Sequence, residues 1–318
     1  MYPEYKGGFL VRLELKNRTV KTRRLIDKVI RIFFIKRHID RKKASQNIRL
    51  DSTIKQSFQI DGFYRYSQDF LNIKNLLEEV VKECNSILAR KEVFEQNRSG
   101  KDYLRHLMRK NDFAPSSNIM SLALNKELIG LVADFLDDFP VLADIALLYS
   151  PPSENALVDE ATFTGSQLFH MDDDDNSLCK VWLLLKDVEL KDGPTVLIKK
   201  RKSLELASKI KYRKGGRIKK DVDLIAYTED SDLVKIIGKS GDVVFLDTAG
   251  AFHYGSRVLS GSSGRFMLMI SYSTSFAMVH GIAGQKTTMP NYPINEVNSE
   301  LSRNQRLMLI NGKKVNGV

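Results

Sequence analysis

Apolar residues change their spacing about halfway along this chain. Residues 70–90, "FLNIKNLLEEVVKECNSILAR", place apolar side chains every three or four positions, which predicts an amphipathic helix. Residues 116–138 predict two shorter helices, with Ser116 or Ser117 as the N-cap of the first. From residue 141 onwards, short runs rich in β-branched and aromatic residues predict strands, because each run is bounded by Pro, Gly, Asp or Ser.

The order of these elements predicts the fold class. Strands are expected in "VLADIALLYS", "TFTGSQLFHM", "CKVWLLLKDV", "PTVLIKK", "DVVFLDTA" and "RFMLMISYST". Helices followed by closely spaced strands are typical of an antiparallel sandwich or barrel with helices packed on one side. The glycine-rich phosphate-binding motifs of Rossmann and P-loop proteins are absent. We therefore expect a mainly β fold of the α+β type, with flanking helices.

A second helical pattern lies nearer the N-terminus and is strongly basic. Residues 24–39, "RLIDKVIRIFFIKRHI", combine apolar residues at helical spacing with interspersed Lys and Arg. Such a helix fits contact with an anionic membrane surface or a nucleic-acid backbone. It fits equally well a helix docked on its own domain with solvated lysines, so the sequence leaves both interpretations open.

The net charge of +11 is concentrated in two segments of the 318-residue chain. Residues 16–43 hold twelve Lys and Arg against two Asp, and residues 199–220 hold eleven against one Glu, so the remainder is mildly acidic. This distribution favours local contacts with anions over a generally basic protein. We expect an anionic small-molecule substrate and do not expect nucleic acid as a partner. Peripheral contact with an anionic membrane through 16–43 remains one of the two open interpretations of the basic helix.

Cysteine usage and hydropathy bear on the compartment. Cys84 and Cys179 stand far apart with no C-x-x-C spacing, so neither a disulfide framework nor a zinc site is expected. No apolar run of about 18 residues occurs, and the N-terminus lacks the pattern of a signal peptide. We expect a cytoplasmic protein, peripheral at the membrane if the basic helix binds lipid.

The stretch "QLFHMDDDDN", residues 167–176, is the first candidate for chemistry. In a strand, His170 and Asp172 project from the same face, because side chains alternate with a period of two. Four adjacent carboxylates cannot all be buried without a cation or several donors. We therefore expect Asp172 in a metal site, and the next three aspartates in a solvated loop or as hydrogen-bond partners of a ligand.

The remaining parts of the site come from a later pair of strands. His253 lies between the predicted strands "DVVFLDTA" and "RFMLMISYST". Two histidines and one carboxylate form the facial triad of non-haem Fe(II) oxygenases, which leaves positions for a cosubstrate and O₂. Arg265 begins the following strand, and a guanidinium can hold the distal carboxylate of 2-oxoglutarate through two parallel hydrogen bonds. The pattern is thus H-x-D … H … R.

With these motifs the chain resembles the phytanoyl-CoA dioxygenase-like (PhyH-like) family of Fe(II)/2-oxoglutarate-dependent oxygenases. The resemblance rests on "FHMDDDDNSLCKVWLLLKDVELKDGPTVLIKKRKS" and "SGDVVFLDTAGAFHYGSRVLSGSSGRFMLMISY", and "IDGFYRY" is similar to the family's N-terminal opening. It covers residues 150–275 firmly and 55–150 weakly. It implies a double-stranded β-helix core, that is, a jelly-roll of the cupin type.

The resemblance also implies roles for individual residues. Iron ligation falls to His170, Asp172 and His253. Arg265 is expected to bind the carboxylate of 2-oxoglutarate, together with Ser256 in "HYGS". Trp182 is expected either to contact 2-oxoglutarate or to lie in the core. Arg257 is expected to be a substrate or surface residue. The segment "VLIKKRKS" departs from the family pattern, so no relative's substrate is carried over.

The predicted function is that of a dioxygenase using Fe(II), 2-oxoglutarate and O₂. It would hydroxylate, or otherwise oxidise, a C–H bond of a small anionic substrate and release succinate and CO₂. Since Asp172 is intact, the resemblance does not imply a halogenase. The alternative from another class is a non-catalytic jelly-roll module that binds a glycan or a nucleic acid through its basic patches.

The same reasoning divides the chain into regions. A basic, partly helical extension is expected over 1–50, the jelly-roll oxygenase domain with its helical N-terminal part over 51–280, and a C-terminal extension over 281–318. The basic insert 199–238 leaves the barrel between strands that bear on the site. We expect its residues 199–220 to contact an anionic group of the substrate, such as a phosphate or a nucleotide, with an exposed loop that binds nothing as the alternative.

Overall fold

The computed structural model describes residues 18–33, 35–46, 52–66, 73–95, 101–109, 112–114, 116–153, 160–274 and 277. The predicted C-terminal extension, 281–318, and residues 1–17 of the N-terminal extension lie outside the described residues. The helices are α1 Val20–Phe33, α2 Ile35–Gln46, α3 Ser52–Asp61, α4 Lys74–Leu88, α5 Glu92–Glu95, α6 Asn118–Ala123, α7 Lys126–Leu136, α8 Lys200–Lys209 and α9 Val222–Ile225. The strands are β1 Phe63–Arg65, β2 Arg105–Arg109, β3 Val141–Ser150, β4 Leu178–Leu184, β5 Val196–Ile198, β6 Leu233–Lys235, β7 Val243–Asp247, β8 His253–Tyr254 and β9 Arg265–Ser273.

Two antiparallel sheets face each other. Within the described residues, the larger sheet has six strands in the order β1-β7-β4-β9-β3-β2, and the smaller has three in the order β6-β5-β8. Leu197 of the smaller sheet packs in one cluster with Trp182 and Met269 of the larger sheet. This arrangement with flanking helices confirms the predicted mainly β jelly-roll fold.

The larger sheet separates a dry core from a cavity, and β9 shows how. Phe266, Leu268, Ile270 and Tyr272 point to the core shared with α4, α6 and α7. The alternate residues of β9 face the smaller sheet, as the two-residue period of a strand requires. The Tyr272 hydroxyl donates to the carbonyl of Ala123 at 2.8 Å, which ties the sheet to α6. The predicted cap is confirmed, since the Ser117 side chain accepts from the N–H of Met120.

The basic pattern over 24–39 forms helix, as predicted, but it is shared between α1 and α2. Both helices dock through arginines. Arg23 is 1% exposed and donates to the carbonyl of Asp173 at 2.7 Å, and Arg41 donates to the carbonyl of Phe139 at 2.7 Å. Among the helices that the structure describes, none has the length and apolar character needed to cross a bilayer.

Truncating a core side chain of β9 tests this layering. Leu268 is fully buried, so Leu268→Ala should lower the free energy of unfolding by about 2–5 kcal/mol, through lost burial and the cavity left behind. Leu190→Ala is the matched control, because Leu190 is 61% exposed and its truncation should cost less than about 0.5 kcal/mol. Urea denaturation measures both, and equal effects would contradict the assignment of the core.

Candidate metal centre

Two histidines from distant parts of the chain face each other across a backbone pair. The N–H of His170 donates to the carbonyl of His253 at 3.0 Å, and the N–H of His253 donates back at 2.9 Å. The first histidine follows a 3₁₀ turn at Gly165–Gln167, and the second begins β8. The imidazole ring centroids lie 4.3 Å apart. The pairing thus places both rings at the same end of the cavity.

Each imidazole is oriented by a carbonyl two residues earlier in the chain. Nδ1 of His170 lies 2.8 Å from the carbonyl oxygen of Leu168, and Nδ1 of His253 lies 3.1 Å from that of Ala251. A carbonyl only accepts, so Nδ1 carries the proton and Nε2 offers its lone pair. Burial, followed by the neighbouring His170, lowers the pKa of His253 to about 3. His253 is therefore neutral at physiological pH, as a metal ligand must be.

Asp172 completes the group. Ligand atoms of His170, Asp172 and His253 all lie within 4.8 Å of one another. The Lys180 ammonium on β4 donates to Oδ2 of Asp172 at 2.7 Å. Burial raises the pKa of Asp172, but Lys180 and the two imidazoles outweigh it and hold the pKa well below its usual range. The carboxylate is thus ionised.

The donor set matches a known class of metal site. Two neutral imidazole nitrogens and one carboxylate oxygen on a single face are the donors of non-haem Fe(II) sites. Within the described part of the chain, this is the one cluster of His, Cys, Asp and Glu side chains placed to hold an ion. Both cysteines are buried, free and outside it.

The expectation of a solvated loop after Asp172 is wrong for Asp175. Asp175 is 2% exposed, and its carboxylate accepts the N–H of Thr274 at 2.7 Å. Burial raises its pKa to about 7. Asp174 is exposed, and the carbonyl of Asp173 accepts from Arg23. The run of aspartates therefore turns back into the protein, where it meets the basic helix.

Arg265 lies in the same cavity as the three ligands and is 4% exposed. Its Nη1 donates to the carbonyl of Gly193 at 2.7 Å and to the hydroxyl of Thr195 at 3.2 Å. Its Nη2 donates to the hydroxyl of Ser256 at 3.1 Å and lies 3.4 Å from that of Ser150. The expected neighbour Ser256 is thus in contact, and the two serine hydroxyls also bond to each other at 2.9 Å.

The charge of Arg265 has neutral hydrogen-bond partners. Its Nε has no hydrogen-bond partner among the described residues, and the carboxylate of Asp192 attracts the guanidinium without forming a hydrogen bond to it. Burial lowers its pKa to about 10, which still leaves the group charged at neutral pH. A buried cation bonded to neutral oxygens is costly until an anion binds beside it. Arg265 therefore fits a carboxylate ligand.

Trp182 lines this cavity of about 380 Å³ between the two sheets. It is 6% exposed, and its Nε1 has no hydrogen-bond partner among the described residues. The ring packs in the cluster between the sheets, as the core alternative expected, and it also borders the cavity. Its contact with 2-oxoglutarate stays a prediction.

Arg257 is neither a cavity residue nor a free surface residue, so that prediction is wrong. Its guanidinium makes two hydrogen bonds to the carboxylate of Asp221, at 2.5 and 2.9 Å, and donates to the carbonyl of Gln167. It also lies 3.5 Å from the centroid of the Tyr254 ring. These contacts clamp the insert to the segment before His170.

Sequence analysis missed His106, Arg109 and Asp144, which also line the cavity. The pairing of β2 with β3 shifts between His106 and Met108, and that of β3 with β9 shifts between Leu142 and Asp144. A β-bulge re-aims the side chains that follow it. Arg109 and Asp144 thereby face the cavity, where they form an ion pair. Lys180 could have been predicted, because it lies two positions before Trp182 on β4 and therefore points to the same side of the sheet.

The basic insert meets the cavity at one point. Of residues 199–220, Arg217 alone lines it. Lys199 pairs with Asp61 at 3.6 Å, and Lys200 pairs with the buried Asp247 at 2.7 Å. The start of the insert is thus used in structural contacts.

Comparison with known proteins yields a likeness of fold. No protein-family model matches the chain, and no curated protein matches it. Similar solved structures include the non-heme alpha ketoglutarate dependent epimerase SnoN from nogalamycin biosynthesis, with 14% identity, 73% of this chain and 84% of that chain covered, and a TM-score of 0.47. EctD from S. alaskensis, with 2-oxoglutarate and 5-hydroxyectoine, shares 16% identity over 71% of this chain and 77% of its own, with a TM-score of 0.48. HygX from Streptomyces hygroscopicus, with nickel and 2-oxoglutarate bound, shares 16% identity over 72% of this chain and 88% of its own, with a TM-score of 0.46.

Removing a ligand of the triad should abolish metal binding. Asp172→Ala and His253→Ala should each weaken Fe(II) binding by more than the roughly 10–100-fold typical of losing an outer-shell partner, because a direct donor is lost. Anaerobic equilibrium dialysis measures this, with circular dichroism to check folding. His106→Ala is the control, since His106 lines the cavity outside the triad. A folded Asp172→Ala protein with wild-type affinity would contradict the assignment.

Proposed function

We propose that this protein is an Fe(II)- and 2-oxoglutarate-dependent dioxygenase of the PhyH-like type that hydroxylates a C–H bond of a small anionic substrate. One observation carries the proposal: the His170–Asp172–His253 cluster and a buried Arg265 without a hydrogen-bonded carboxylate in the described chain border one cavity. A metal site alone would fit many reactions, but a second, cationic anchor in the same cavity calls for a cosubstrate with a carboxylate at its far end.

The chain's own residues would divide the work as follows. His170, Asp172 and His253 hold the metal, while Arg265 and the Ser256 hydroxyl bind the distal carboxylate of 2-oxoglutarate. Together, Fe(II), 2-oxoglutarate and O₂ supply the oxidation of a C–H bond, with succinate and CO₂ as coproducts. Lys180 keeps Asp172 ionised by its hydrogen bond.

Apolar side chains complete the lining of the cavity. They are Leu104, Ala143, Leu148, Leu178, Trp182, Met267 and Met269. Such a wall keeps bulk water from the reacting groups and strengthens the electrostatic contacts inside. The indole Nε1 of Trp182, which lacks a partner in the described chain, is available to donate to a bound oxygen.

The charge of the cavity supports an anionic substrate. Besides Arg265 and Lys180, it is lined by Lys101, Arg109 and Arg217. Burial and then the charges of Arg109 and Lys101 lower the pKa of His106 to about 4, so this histidine is neutral at physiological pH. The lining cations outnumber the lining carboxylates outside the triad, which are Asp144 and Asp174. A negatively charged group is therefore favoured here.

The cofactor chemistry can be tested by anaerobic titration of Fe(II) and then 2-oxoglutarate into the apo-protein. A chelated 2-oxoglutarate should produce a visible charge-transfer absorption, and O₂ should then release succinate. Arg265→Lys should bind 2-oxoglutarate more weakly, since an ammonium cannot reproduce the two-pronged contact of a guanidinium. His106→Ala should leave the absorption in place.

The alternatives give different results in this titration. Iron binding without the absorption would indicate a cupin-like oxygenase that does not use 2-oxoglutarate. Absence of both iron binding and absorption would overturn the proposal and favour a non-catalytic module that binds a glycan or a nucleic acid.

A second test concerns the substrate. Candidate carboxylates, phosphates and nucleotides would be screened by substrate-stimulated succinate release. For an anion that stimulates release, Arg109→Met should raise KM about 10–100-fold with little change in kcat, because the variant removes a charged donor and leaves the carboxylate of Asp144 unneutralised in the cavity. Lys239→Met is the control, since the Lys239 side chain is 81% exposed and lies outside the cavity lining. An unchanged KM would contradict the assignment of Arg109 to the substrate.

A further inference from the structure

Helix α1 exposes its apolar side. Leu25, Val29, Ile32 and Phe33, which we name the apolar stripe, are 63%, 44%, 67% and 80% exposed. At 3.6 residues per turn these four side chains fall within about 100° of the helix circumference. Arg23, on the other side, is 1% exposed. An ordinary surface helix buries its apolar residues, so the exposure of these four side chains departs from the rule, although Ile26 and Ile30 of the same helix are half-buried.

Charged contacts hold α1 in this orientation. Arg23 donates to the carbonyl of Asp173 at 2.7 Å. Arg31 bonds Asp27 at 2.8 Å and lies 3.8 Å from the buried carboxylate of Asp138. The stripe is not needed for docking, and its exposure to water requires another explanation.

Basic residues flank the stripe. Lys21 and Lys28 are exposed and lie within about 40° of one edge of the stripe, while the exposed Arg24 lies farther round the helix. On α2, Ile35, Lys36 and Ile39 are also exposed. Within the described residues of the two helices, Asp40 is the one exposed acidic side chain. The surface therefore combines apolar side chains with a positive edge.

We propose that this surface binds an anionic lipid bilayer, with α1 lying in the membrane interface. The stripe would enter the boundary between headgroups and acyl chains, while the basic edge contacts anionic headgroups. A second copy of the chain fits less well, because a two-fold interface would bring identical basic edges together. The observations that support binding are independent of the metal centre.

The surface is connected to the cavity through the insert. Thr19 forms a bridge with Arg213, and the N–H of Lys214 donates to the carbonyl of Arg18 at 3.2 Å. Arg217, which lines the cavity, follows Arg213 by four residues, a span of at most about 14 Å. A docked protein would thus hold its cavity near the bilayer.

Vesicle co-sedimentation of the full chain tests the proposal. The probes are vesicles of phosphatidylcholine with or without phosphatidylglycerol. We expect binding to the anionic vesicles, loss of binding at high salt, and little binding to neutral ones. Ile32→Ser/Phe33→Ser should weaken binding at least about tenfold. Lys21→Gln/Lys28→Gln should weaken it roughly 10- to 30-fold.

Matched variants control for general effects. Leu190→Ser/Val222→Ser removes exposed apolar residues elsewhere, at 61% and 60% exposure, and Lys82→Gln/Lys239→Gln removes exposed lysines elsewhere. Both should bind vesicles like the wild type. Absence of binding to anionic vesicles, or equal binding by the stripe variant, would overturn the proposal. The proposal would also be overturned if the protein formed a dimer that did not bind vesicles and that Ile32→Ser/Phe33→Ser dissociated. A second copy of the chain would then cover the stripe.

Discussion

Two reciprocal backbone hydrogen bonds between His170 and His253 hold the candidate metal centre together. They join an extended segment of the chain to β8 of the smaller sheet, and so bring two imidazoles from distant positions to one end of the cavity. Asp172, two residues along, then has the same orientation as His170. Its N–H donates to the carbonyl of Thr248 at 2.8 Å, which fixes the carboxylate relative to the strand pair. Backbone pairing thus sets the geometry of the ligands.

The protein places several cations in its interior and satisfies them in more than one way. Lys180 pairs with a carboxylate, and Lys214 donates to the backbone carbonyl of Asp175 at 2.8 Å. Burial, followed by the nearby Arg23, lowers the pKa of Lys214 to about 7. Like Lys214, Arg265 bonds to neutral oxygens, but it lies in the cavity that the metal ligands line. A folded protein rarely keeps such a group without a reason, and binding of an anion supplies one.

The sequence was sufficient for the fold class because periodicity reports which side of an element is buried. The strands β3, β5, β7 and β9 fall within the predicted runs, and so do helices α4, α6 and α7, while β4 begins one residue before its run. The prediction of a strand over "TFTGSQLFHM" is wrong, because that stretch contains a 3₁₀ turn and two isolated bridges. The triad pattern was readable because Asp172 lies two positions after His170, and His170 pairs with His253 at the start of β8. The roles of Arg109 and Asp144 could not be predicted. Bulges in β2 and β3 change which side chains face the cavity, and no residue pattern in the sequence indicates where these bulges occur.

The two basic segments show why charge composition alone misjudges a surface. In the insert, Lys200 forms an ion pair with the buried Asp247. In α1, the planar guanidinium groups of Arg23 and Arg31 reach carbonyl and carboxylate oxygens inside, whereas the ammonium of Lys28 remains in water. Arg23, Asp27 and Arg31 recur at intervals of four residues and form one charged face. That spacing, visible in the sequence, indicates which side of the helix docks and leaves the apolar side outward.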